Sequence, residues 1–182
     1  MLEHLAVLSR PLLDFPYIRR TRRNHALEHA TITLLTRRGS YRLSGRSDST
    51  GFILIGAVPT TAVESAAHEA LRRMRNGEHD LAVHPNCGTN LVTTGLLTGI
   101  IGWASLSGRS RRAGLDRLPL VITAMMVAIL YGPLLGMRLQ KHFTTEGNPG
   151  DLAVAEVARR EFKLPFKLGP TVVIHRVETR AG

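Results

Sequence analysis

The sequence holds a single cysteine, Cys87, so no disulfide can form within the chain, and a small disulfide-stapled secreted scaffold is excluded. Aromatic residues make up only 5%. That is poor material for the stacking platforms on which single-stranded nucleic acids lie. Acidic residues are scarce as well: 14 Asp and Glu stand against 24 Lys and Arg, a net charge of +10. Such a surplus suits anionic lipid or nucleic acid. No DNA- or RNA-binding motif accompanies it, so nucleic acid is not the expected partner and membrane lipid is. Met1–Leu8 carries Glu3 and His4, and no long apolar core follows, so the start does not read as a signal peptide. Internal repeats and low-complexity tracts are also missing.

Long runs without charge are present. Leu91–Gly108 has 18 such residues and Leu118–Met137 has 20. About 20 apolar residues cross a bilayer core. The pair predicts a transmembrane helical hairpin over residues 91–137, joined by the short polar link Ser107–Arg117. The first run is diluted by Thr93, Thr94, Thr98 and Ser105. Gly95 and Gly99 in one run, and Gly132 and Gly136 in the other, have the spacing that lets membrane helices approach closely. The competing reading is a pair of buried helices in a soluble protein.

Around the hairpin the sequence predicts a small α/β domain. Residues 1–23 combine leucines with the run Arg19-Arg20-Thr21-Arg22-Arg23, as an interfacial segment does when its arginines meet lipid phosphates. The alternative is a packed helix followed by a solvated charge run. Asn24 is a good N-cap and Gly39 a good stop for a helix between them. Tyr41–Ser47 and Gly51–Val58 read as strands around the turn Asp48-Ser49-Thr50-Gly51. Thr60–Arg75 reads as a second helix, and Leu81–Val83 as a short strand. Thr144–Gly150 is a turn-rich linker, Asp151–Phe162 is helix or strand, and Thr171–Val177 is a β-branched strand containing His175. The expected fold is thus a small α/β domain, residues 24–88 with part of 142–182, docked on a two-helix transmembrane hairpin.

The chemistry concentrates in two places. His25-Ala26-Leu27-Glu28-His29 puts two imidazoles one helical turn apart on one face, where a divalent metal can bridge them. Glu28 stands beside them as a candidate general base that takes a proton from a metal-polarised water. Leu27, Ala30, Leu34 and Leu35 form the main apolar stripe, and the histidines fall nearly opposite it. They are either exposed or turned toward a second layer. His84-Pro85-Asn86-Cys87-Gly88-Thr89-Asn90 supplies two further donors, His84 and Cys87. Glu64, His68 and Glu69 are other candidates for a third ligand. Zinc is the expected ion. If His84 and Cys87 both bind, the site is closed and structural; if one binds, it is open and can be hydrolytic. Two surface histidines beside a carboxylate, a Cys–His nucleophile at Cys87, and haem ligation are the alternatives. Gly88-Thr89-Asn90 reads as a helix cap or an anion site.

The H-x-x-E-H order resembles the inverted zinc motif of the inverzincin metallopeptidases. That resemblance implies a downstream glutamate as third ligand. Asn24–Thr31, Gly45–Asp48, Gly51-Phe52 and His84–Asn90 together resemble a family of small bacterial membrane proteins of unknown function, cyanobacterial members included, over roughly residues 20–140. This second resemblance implies a membrane location and no particular reaction.

Together these readings predict a membrane-bound, metal-dependent, peptidase-like hydrolase with His25 and His29 as ligands and Glu28 as base. The alternative is a non-catalytic, metal-stabilised protein with an assembly or scaffolding role. Arg109, Arg111, Arg112 and Arg117 in the hairpin link favour a cytoplasmic link. Against that, 12 Arg precede residue 91 and resist translocation. The expected location is the bacterial inner membrane, multi-pass, with the α/β domain in the cytoplasm.

Overall fold

Pro16 starts the longest helix of the domain. Proline is favoured in a first helical turn, where its missing N–H is not needed and its φ is already helical. In the computed structural model, which describes residues 2–107, 111–163 and 171–182, that helix runs without a break from Pro16 to Arg38 (α3). It is preceded by α1 (Leu2–Leu8) and α2 (Arg10–Leu13). The helix expected to begin at Asn24 therefore begins eight residues earlier. Asn24 is an interior residue instead. Its amide donates to the Asp48 carbonyl at 2.8 Å and accepts from the Thr179 hydroxyl at 2.8 Å. At the other end Gly39 closes the helix as expected, its N–H donating to the Leu35 carbonyl.

The chain divides into two units, one of residues 1–84 and 141–182, the other of residues 85–140. In the first unit, β1 (Ser44–Asp48), β2 (Gly51–Ile55), β3 (Ala153–Lys163) and β4 (Thr171–Arg180) form an antiparallel sheet in the order β1-β2-β4-β3. The last strand thus lies between the second and the third. Leu54 pairs with His175, and Val157 with Val177. Of residues 151–162, open between helix and strand in the sequence, 153–162 are settled as strand by this pairing with β4. Gly51 is required where it stands. Its φ is +149°, and a β-carbon there would collide with the Val177 carbonyl.

Helix α4 (Thr60–Arg75) has the expected limits. Its buried residues Val63, Ala66, Ala67, Ala70, Leu71 and Met74 recur at helical spacing and pack with α3 and the sheet. Leu27, Leu35, Phe52, Leu54, Met74 and Val177 are all fully buried. Each contributes on the order of 1.5–3 kcal/mol through burial. Leu81–Val83 is not the expected strand. His79–Ala82 form a 3-10 turn, which buries Leu81 and Ala82 without needing a strand partner.

The arginine run of α3 works inside the protein. Arg22 is buried and donates to the carbonyls of Thr145 (3.1 Å), His142 (3.4 Å) and Leu13 (3.5 Å), with Glu146 at 3.4 Å. Arg20 donates to the Thr179 carbonyl at 2.9 Å, and Arg23 pairs with Asp151. These guanidiniums are tied to carbonyls and carboxylates, where lipid phosphates were the expected partners.

The second unit is a helical pair, α5 (Gly88–Leu106) and α6 (Arg111–Leu139). Among the described residues, one helix is long and apolar enough to cross a membrane, Arg112–Thr144, which continues α6 through a π turn. Its 33 residues reach about 50 Å at 1.5 Å each, more than a bilayer core needs. The expected two-helix transmembrane hairpin is thereby corrected to one helix of membrane length among the described residues. Asn90, Thr93, Thr94 and Thr98 dilute the apolar run of α5 below that standard. The small-residue motifs also divide. A β-carbon at Gly132 or Gly136 would strike Thr94 or Asn90, whereas Gly95 and Gly99 face open space. Gln140 donates to the Asn90 side-chain oxygen at 2.7 Å. Arg109 of the polar link lies outside the described residues.

Candidate metal centre

His25 and His29 sit in the middle of α3, where the helix is covered on most sides. Their rings meet edge to face with centroids 4.3 Å apart. A ring nitrogen of each lies within 4.8 Å of one of the other. His29 is 2% exposed, and His25 is half-buried. The histidines therefore face a second layer of structure, one of the two orientations open in the sequence.

Two backbone carbonyls fix the chemistry of the pair. His25 Nδ1 lies 2.9 Å from the Thr144 carbonyl, and His29 Nδ1 lies 2.7 Å from the Ala82 carbonyl. A carbonyl oxygen can only accept, so each Nδ1 carries the proton and donates it. In the neutral form of each ring, Nε2 is then the nitrogen with the lone pair. Metal-binding histidines have this arrangement, one ring nitrogen held by a carbonyl or carboxylate and the other on the ion. The carbonyls come from the 3-10 turn and from the segment that follows α6. No side-chain pattern in the sequence marks them.

His84 joins the pair from the chain end of the 3-10 segment. Its ring centroid lies 5.8 Å from that of His29. Burial lowers its pKa below the ordinary histidine value, which favours the neutral, ligating form. Histidines from two elements therefore converge, and the His25–His29 group could hold a metal ion. Nothing in the group selects which metal.

Cys87 stands at the N-cap of α5, its sulfur accepting the Thr89 N–H at 3.4 Å. Glu64 and His68 are exposed on α4, away from its buried face. Glu69 pairs with Arg38 and Arg73. Glu28 is buried, and its carboxylate lies against Gly45 of β1. The turn after Gly45 is itself held. Asp48 accepts from Thr50 and from both terminal nitrogens of Arg176, which keeps its carboxyl well below the usual carboxylate range. Sequence reasoning gave His175 no role. It is buried in β4 with Thr60 Oγ1 at 3.3 Å, and burial, then the Arg159 charge, lower its pKa.

Comparison with known proteins gives a family and no reaction. An uncharacterized protein of Picosynechococcus sp. (strain ATCC 27264 / PCC 7002 / PR-6) is 39% identical over 147 residues, covering 75% of this chain and 70% of that protein. No solved structure matches. Residues 20–157 match the family described as a domain of unknown function, DUF6391. That span takes in α3 with its histidine pair, the Gly45–Asp48 turn, His84 and the membrane-length helix, as the second resemblance anticipated. The chain belongs to the DUF6391 family.

Proposed function

We propose that this protein is a membrane-attached, metal-dependent hydrolase of peptidase-like chemistry, with its first unit on the cytoplasmic face. The observation that supports it is the pair of imidazoles, His25 and His29, one helical turn apart and each held at Nδ1 by a backbone carbonyl. His84 is the third ligand in this reading. Cys87 follows His84 by three residues, a chain reach of about 10 Å, and is a candidate fourth. Zinc suits such nitrogen and sulfur donors. A divalent ion bound there would polarise a water molecule, and Glu28, on the same helix turn, would accept its proton.

A second reading is favoured by one observation, the lodging of the Glu28 carboxylate against Gly45. In that reading the ion staples the domain, and the protein serves in assembly without catalysis. Metal analysis of detergent-purified protein separates the outcomes. His25→Ala and His29→Ala should each lower metal content. Glu28→Gln should leave metal content intact and abolish hydrolysis of a casein-type peptide substrate. Unchanged metal content in both histidine variants would overturn the metal site. Hydrolysis that survives Glu28→Gln would reject the base, and loss of metal or of stability in that variant would favour the second reading.

A further inference from the structure

The first fifteen residues pose a physical problem. Helices α1 and α2 have seven and four residues, and neither contains a buried residue. Isolated helices shorter than about 12–15 residues are marginal in water. Several of their large apolar side chains nevertheless point outward: Leu8 is 77% exposed and Leu12 64%, with Leu5 and Val7 similarly placed, and Phe15 (59%) and Tyr17 follow at the start of α3. An apolar surface of this kind on a short helical segment calls for a cover.

We infer that the cover is the membrane interface, and that residues 2–17 form a second, surface-lying membrane contact independent of the metal centre. Three observations select the bilayer. Glu3, Ala6, Val7 and Arg10 line one cleft together with Lys141 and His142, which directly follow α6 in the chain. Arg22 ties the same two segments, donating to the carbonyls of Leu13 and His142. The segment is thus held beside Lys141 and His142. Finally, Phe15 and Tyr17 are aromatics of the kind that settle at headgroup level, and the chain's net charge of +10 is complementary to anionic lipid. The contact is made by the leucines and aromatics; Arg20, Arg22 and Arg23 are engaged inside the domain.

The test uses the full chain reconstituted in vesicles of phosphatidylcholine and phosphatidylglycerol. Trp103 is the only tryptophan, so Trp103→Phe clears the background for Phe15→Trp or, as a second reporter, Leu12→Trp. Both reporters should emit to the blue of their position in urea. Lipids brominated near the headgroup should quench them, and aqueous iodide should quench them several-fold less than free tryptophan. Strong iodide quenching with no effect of bromine would overturn the inference. So would protection from iodide that depends on protein-to-lipid ratio and ignores bromine, because a second copy would then be the cover. Unchanged metal content in the reporters keeps this outcome separate from that of the metal site.

Discussion

The Glu28 carboxylate occupies the space that a β-carbon on Gly45 would need. Residue 45 is glycine because a buried acidic side chain from α3 reaches the backbone of β1 there. Gly45→Ala should destabilise the protein by roughly 1–3 kcal/mol, the usual effect of overpacking a tight site. Glu28→Ala, combined with Gly45→Ala, should recover part of that loss, since residues in contact do not behave additively. Thermal unfolding of the two single variants and the double variant in detergent measures it. Purely additive effects would show that the contact carries no strain.

His175 gives the pH dependence a direction. Its folded pKa is lowered by burial, then by Arg159. The unfolded chain, with a pKa near 6.5, therefore binds the proton first. Stability is fully present above about pH 6.5 and is lost as pH falls toward the lower folded value. The midpoint of thermal unfolding should drop between pH 7.5 and pH 5. His175→Gln should lower the midpoint at pH 7.5 and show a shallower drop. An equal drop in both proteins would remove His175 from the account.

Arg22 offers a test of what the arginine run is for. Its guanidinium bonds three carbonyls from two distant segments, a fork geometry that lysine cannot reproduce. Arg22→Lys should cost about 1–3 kcal/mol, because buried acceptors are left unpaired. It should also speed protease cleavage within residues 2–15. Arg46→Lys, at an exposed position, should change neither.

The four glycines of the two small-residue motifs should separate cleanly. Gly136→Ala forces a β-carbon into Asn90 and should loosen the α5–α6 packing. Gly95→Ala and Gly99→Ala meet nothing, and each should stabilise its helix by up to about 1 kcal/mol. Resistance to SDS-induced unfolding reads both signs. A destabilised Gly95→Ala would mean that this face of α5 is occupied.

Much of this fold could be read from the chain. The apolar spacing of Val63, Ala66, Ala67, Ala70, Leu71 and Met74 predicts α4 to the residue, because one buried face leaves a clear helical period. The β-branched run at Thr171 predicts β4. Pairing His25 with His29 needs only the helical repeat. Other features have no signature. Asn24 has the composition of a cap, and only the Asp48 carbonyl and Thr179 hydroxyl make it an interior residue. The Ala82 and Thr144 carbonyls that orient the imidazoles are backbone, which every residue possesses. Arg20, Arg22 and Arg23 read as lipid ligands because a charge run shows sign and density but not the carbonyls folded around it.

The position of β4 between β2 and β3 governs the order in which the protein can be made. A ribosome delivers α3, β1, β2 and α4 first, and β2 then shows an unpaired edge. Its partner emerges only after the whole of α6. The Thr144 carbonyl that sets the tautomer of His25 also arrives late, once the membrane-length helix has left the tunnel. The membrane-length helix thus emerges before the sheet can close and before the Thr144 carbonyl can reach His25. A nascent chain halted before residue 140 would carry both α3 histidines and would lack the carbonyl that holds the His25 ring.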